Sequence, residues 1–205
     1  MTIENLLNDP RISYLLFLPG RERRVLIAAP HHAPVGVPTL PIKAHPTSDE
    51  NTGLIAYHLS RSLDCPCLIA GNYFIDPNKK ENTDYYNRIQ SLKPRLLFEI
   101  HAHGSGAARF DIEITCGSRE KSPLSQDLAS RLQIALAAHP ETLPYSISGN
   151  FDKIHFKATR SVTINTDQWI AYHIELPFSI RADTAKCKLF SAELSAIIVD
   201  MLAKK

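Results

Sequence analysis

Arg24-Val25-Leu26-Ile27-Ala28-Ala29-Pro30-His31-His32-Ala33-Pro34 is the stretch that decides the fold. Val25 to Ala29 is apolar throughout, the pattern of a strand buried on both faces inside a parallel sheet. Pro30 has no N–H to give a ladder, so the strand is expected to end there and hand His31 and His32 to a loop. The pattern recurs. Leu96-Leu97-Phe98-Glu99-Ile100 runs into His101-Ala102-His103-Gly104, and Ile170-Ala171-Tyr172-His173-Ile174 runs into Glu175-Leu176-Pro177. Ligands of open α/β sheets sit beyond the carboxyl ends of the strands. Apolar strands that each deliver a His or Glu near that end therefore suggest a metal-hydrolase site.

Working outward, residues 3–8 read as a short helix closed by Asn8-Asp9-Pro10. Ile12 to Leu18 reads as a strand, turned back by Pro19-Gly20 into Val25–Ala29 as a hairpin, which makes the sheet mixed. Residues 33–47 hold four prolines and no periodicity, a loop length that compact domains keep for function. A helix is expected from Ser48 or Asp49 to about Leu63, with acids in its first turn. Cys67 to Ala70 is a short strand, 81–92 a helix, 95–100 a strand, 122–139 an amphipathic helix with Pro123 in its first turn, and 183–202 the closing helix. Phe110 to Cys116 alternates, which predicts one wet face. Residues 153–157 and 161–164 read as short strands, and 144–151 as loop. Strands alternating with helices give a three-layer α/β/α sandwich with a mixed, mostly parallel sheet, in a single domain over 1–205.

The bulk numbers exclude several classes. A charged fraction of 21% and a net charge of +2, with both signs interspersed, leave no basic face for nucleic acid. No run is long enough to span a bilayer, and no basic and apolar leader opens the chain, so a cytoplasmic protein with reduced thiols is expected. Cys65-Pro66-Cys67 is too tight for a zinc knuckle and reads as strand packing. Without a glycine-rich loop opening a helix, a nucleotide-binding domain is disfavoured.

A catalytic zinc needs three protein ligands and an open position. His31, His101 and an acid at the start of the 48–63 helix, Asp49 or Glu50, meet that need. Glu175 is the carboxylate left over to move a proton, since an acid closing an apolar strand is costly to place without a purpose. Taken singly, each has a structural reading: His31 and His32 as a strand cap, His101 or His103 as a core histidine, Glu50 as a first-turn acid, and Glu175 paired with Arg181.

The order Pro30-His31, Asp49-Glu50-Asn51-Thr52, Ile75-Asp76-Pro77-Asn78-Lys79, Glu99-Ile100-His101 and His173-Ile174-Glu175-Leu176 resembles the N-formylglutamate amidohydrolase family. It is similar more distantly to aspartoacylases and zinc carboxypeptidases. The resemblance covers roughly 24–180. It implies an amide hydrolase in which His31, Glu50 and His101 hold one Zn2+ and Glu175 is the catalytic glutamate that activates the metal-bound water. The family's Asp-x-Asn-Arg motif, which binds a substrate carboxylate, reads Asp76-Pro77-Asn78-Lys79 here, and lysine lacks the bidentate fork of arginine. The resemblance therefore implies a small substrate bearing a carboxylate, held by Asn78 and Lys79, with Arg88 as an alternative guanidinium. A metal- or ligand-binding protein that keeps the fold without catalysis is the other reading.

Overall fold

The computed structural model describes residues 1–43, 45–104, 106–139 and 145–203. Short α1 (Ile3–Leu7) leads into β1 (Tyr14–Leu18), β2 (Val25–Ala33), β3 (Asp49–Glu50) and α2 (Thr52–Leu63). Next come β4 (Cys67–Gly71), α3 (Asp84–Leu92), β5 (Leu96–Ala102), β6 (Ile112–Thr115), α4 (Ser122–Ala137) and β7 (Ile147–Ser148). The chain closes with β8 (Ile170–Leu176), α5 (Phe178–Arg181) and α6 (Thr184–Ala203). The strands form one eight-stranded sheet in the order β1-β4-β2-β5-β8-β6-β7, with β3 paired to β2. Its centre, β4, β2, β5 and β8, is parallel. No helix among the described residues is long and apolar enough to cross a membrane.

Side-chain alternation sends the core to both faces. Val25, Ile27, Phe98, Ile100 and Ile174 pack toward α2, α4 and α6. Leu26, Ala28, Leu68 and Leu97 pack toward Tyr85, Tyr86 and Ile89 of α3, and toward Ile164 and Trp169 of the irregular segment before β8. The mixed α/β sandwich expected from the sequence is observed, with α3 and that segment forming the thinner outer layer.

Several local expectations are corrected. The strand does not stop at Pro30: β2 runs on to Ala33, and its register against β4 shifts between Ala29 and His32. That irregularity accommodates the missing proline donor inside a central strand. Beyond it, the His32 and Ala33 carbonyls accept from Asn72 N and Asn51 N. The hairpin is also absent, because β1 pairs antiparallel with β4 and leaves β2 to the interior. The helix expected from Ser48 begins only at Thr52, with no acid in its first turn. Asp49 and Glu50 instead form a parallel bridge to His32 and Ala33. β6 has no wet face, since Ile112 to Thr115 are all buried beneath the 151–157 segment. Residues 153–157 and 161–164 form no strand, the first being largely irregular and the second mostly turn, and the short strand here is β7. The 144–151 loop and the 33–47 loop fall partly outside the described residues, at Pro144 and Ala44.

Candidate metal and hydrolase site

The carboxyl ends of β2, β5 and β8 converge on one side of the sheet. Parallel pairing sets His101 beside Glu175 and Glu99 beside His173, and the two-residue period aims each pair of neighbours at the same face. Above them lies a cleft of ≈ 1320 Å³ walled by β2, β3, β5 and β8 and by the loops after β4, β5 and β7.

At its floor, Asp49 Oδ2 lies 2.8 Å from His101 Nδ1 and 3.5 Å from His31 Nδ1. The second ring nitrogen of each histidine meets another carboxylate. His31 Nε2 is 3.1 Å from Asp76 Oδ1, and His101 Nε2 is 3.3 Å from Glu99 Oε2. Glu99 is fully buried and is held further by the Tyr85 hydroxyl at 2.9 Å and the Asn78 amide at 3.0 Å. His31 Nδ1 is buried without a hydrogen-bond partner. Two imidazole nitrogens and one carboxylate oxygen, all within 4.8 Å of one another, make a donor set suited to zinc. Carboxylates on the far nitrogens fix the tautomer and ring orientation, as the outer shell of metal-binding histidines does.

Electrostatics follow from this packing. Burial raises the Asp49 carboxyl, but the hydrogen bond with His101 and the nearby His31 ring outweigh it and leave the group well below the carboxylate range. Burial opposes charge on His101, yet the bonds to Asp49 and Glu99 raise it to about 10. The same carboxylates that favour charge on His101 would favour a bound cation, which takes up its ligand with release of a proton. Glu175 is pushed up to about 8, first by burial and then by Asp49, against the pull of His101 and His31. His173 is driven well below its usual value by burial and by His101, so it stays neutral.

His31, His101 and Glu175 therefore meet at one floor, and Lys79 lines the cleft. Glu50 does not join them: its Oε2 accepts from Gly36 N at 2.6 Å, and Asp49 takes the place between the histidines. An extended two-residue strand forces adjacent side chains to opposite sides, so one of the two acids had to turn away. His32 is structural. Its Nε2–H donates to the Leu7 carbonyl at 3.0 Å and its Nδ1 accepts from Gly53 N at 3.1 Å. His103 lines the wall and donates to the Asp111 carbonyl. Asn78 is fully buried with its amide held by Glu99. Arg88 is not brought to the site: on α3 it lies over the Phe17 ring, 4.8 Å from the centroid. Arg181 does not pair with Glu175 but donates to the Leu176 and Glu50 carbonyls.

The sequence reading gave no role to Asp76, Glu99, His173 or His45. For Glu99 and His173 a signal existed, since each sits two residues before a site residue, His101 or Glu175, on the same strand. His45 stacks on His31 at 4.3 Å from within the proline loop, where no periodicity marks it.

The same fold occurs in solved amide hydrolases. A bacteriophage poly-gamma-glutamate hydrolase superposes with a TM-score of 0.64 at 9% identity, over 99% of this chain and 96% of that one. N-formylglutamate amidohydrolase from Ralstonia eutropha JMP134 gives 0.54 at 12% identity, over 93% and 97%. N-acetylmuramoyl-L-alanine amidase AmiC2 of Nostoc punctiforme gives 0.54 at 12% identity, over 90% and 100%. No protein-family model matches the chain, and no curated protein sequence matches it.

Proposed function

We propose that this protein is a single-domain, zinc-dependent hydrolase of an amide bond in an N-acyl amino acid or small peptide, acting in the cytoplasm. The observation that carries the reading is the shared Asp49 oxygen facing Nδ1 of both His31 and His101, with a carboxylate behind each ring. That arrangement supports His31, Asp49 and His101 as the metal ligands. The Asp49 geometry favours this residue over Glu50, which the family resemblance implied. Bound zinc would supply Lewis acidity toward the substrate carbonyl and lower the pKa of water.

The chain's own residues do the rest. Glu175 lies across the β5–β8 ladder from His101 and is buried, with one oxygen 3.5 Å from neutral His173 and the other unpartnered. A carboxyl poised near working pH can take a proton from water and return it to the departing nitrogen. The low-dielectric floor strengthens each of these interactions.

The test is elemental analysis of untagged protein together with a screen of N-acyl amino acids and short peptides. Glu175→Gln is expected to keep its zinc and lose turnover. Retained turnover removes Glu175 from its role. Absence of zinc after reconstitution removes the mechanism. Zinc with no turnover of any amide leaves a metal-binding protein.

A further inference from the structure

Three cations, Lys79, Lys157 and Arg160, line the cleft, and none has an ion-pair partner among the described residues. Some basic side chains elsewhere find acids, as Lys121 does with Asp167 and Arg131 with Asp127 and Asp200. The loops that carry the three cations are joined, since Val162 N donates to the Asn78 carbonyl at 2.9 Å. The cleft's own carboxylates are engaged at its floor, Asp49 by two histidines and Glu175 beside His173. Unpaired positive charge is thus gathered on one wall.

That wall is held firmly. Glu113 is fully buried, and its two oxygens accept backbone N–H groups from both loops above it. Oε1 takes Arg109 and Phe110 at 2.8 and 3.3 Å, and Oε2 takes His155 and Phe156 at 2.8 Å each. The chain then turns through Ala158 at φ 50°, a left-handed conformation uncommon for a residue with a Cβ. Lys157 and Arg160 flank that turn, and Lys157 Nζ rests 5.0 Å from the Phe151 ring centroid. Asn78, whose carbonyl receives Val162 N, is fully buried with its amide on Glu99.

We propose that Lys157 and Arg160, with Lys79, are the specificity-determining residues of this cleft. They read a substrate whose chain carries several carboxylates, such as a short oligomer of acidic amino acids. This rests on the amide-hydrolase reading of the same site. The wall supplies both a point charge and a planar fork, and a cleft of ≈ 1320 Å³ has room for an extended chain.

The experiment is calorimetric titration of zinc-loaded Glu175→Gln protein with triglutamate and with its neutral counterpart triglutamine. Triglutamate is expected to bind at least about tenfold tighter, the scale of one charge-assisted hydrogen bond, with the gap narrowing as salt rises. The double variant Lys157→Ala/Arg160→Ala should lose that preference while keeping zinc content and Tm. Lys157→Arg should retain it, and Lys188→Ala, on exposed α6 surface, should not alter it. Equal binding of the two peptides, no binding of either, or an unaffected double variant overturns the inference. Charge-selective binding in a protein that never hydrolyses an amide would remove the hydrolase reading and leave this wall. Turnover of neutral amides without preference for the acidic chain would do the reverse.

Discussion

Asp49 Oδ2 lies 2.8 Å from His101 Nδ1, while Glu50, its neighbour on β3, turns outward to the Gly36 amide. Adjacent acids are thereby assigned opposite duties. Asp49→Ala is expected to abolish zinc retention, and Glu50→Ala to leave it near stoichiometric. Metal content after gel filtration checks both. Loss in the Glu50 variant alone would exchange their roles.

Asp76 sits behind His31 as Glu99 sits behind His101. Removing a partner of this kind typically weakens metal binding by about 10- to 100-fold. Asp76→Ala should show that loss in competition with a chromophoric chelator, with the far-ultraviolet circular dichroism unchanged. Affinity equal to the parent's would show that His31 needs no such support.

Gly53 opens the first turn of α2 directly against His32, where an added Cβ would meet the ring at 2.6 Å. The ring is fixed from both sides by Leu7 and Gly53, so it has nowhere to retreat. Gly53→Ala should cost about 1–3 kcal/mol through overpacking, read by urea denaturation. A neutral result would mean that α2 shifts freely.

Much of this site was legible in the sequence because buried strands announce themselves. The apolar runs at 25–29, 96–100 and 170–174 placed His31, His101 and Glu175 at one end of a parallel sheet. The choice between Asp49 and Glu50 was not legible. It depends on a two-residue strand whose pairing to His32 and Ala33 is set by tertiary contact, and local propensity read the segment as a helix start. The β1–β2 hairpin failed for a similar reason. No hairpin turn forms at Pro19-Gly20, because β4 offers β1 an antiparallel edge and β2 lies inside. The charge of Arg88 marks it as a carboxylate partner but says nothing about the face of α3 it occupies, which turns it to the Phe17 ring.

All four cysteines are buried with free thiols. Burial raises Cys67 and Cys116 to about 12 and Cys187 to about 11. Native protein should therefore resist Ellman's reagent, and denaturant should release every thiol. The folded state binds the thiol protons more tightly than the unfolded chain, whose thiols ionise near pH ~8.5. The contribution is full below that value and is lost as pH rises toward 11–12. Urea midpoints should decline along that limb. A flat profile would show compensation elsewhere.

Lys93 ends α3 at φ 47° with an exposed side chain. Left-handed backbone costs an L-residue about 1–2 kcal/mol that glycine avoids. Lys93→Gly should raise Tm by about 2–4 °C for each kcal/mol recovered in a chain of this size. A fall in Tm would mean that glycine's freedom in the unfolded chain dominates.

The strand order has a consequence for how the chain assembles. Tyr14 pairs with Gly71 at the sheet edge, and Val25 with Leu96 and Leu96 with Ile170 at its centre, so these ladders close over long stretches of sequence. Loop-closure entropy must be met before such contacts give any return, which places folding in the slow range for its size. Until residues 170–176 arrive, β5 presents an open apolar edge to its surroundings. Dilution and chaperone-like conditions during refolding are expected to decide the yield of native protein more than its final stability does.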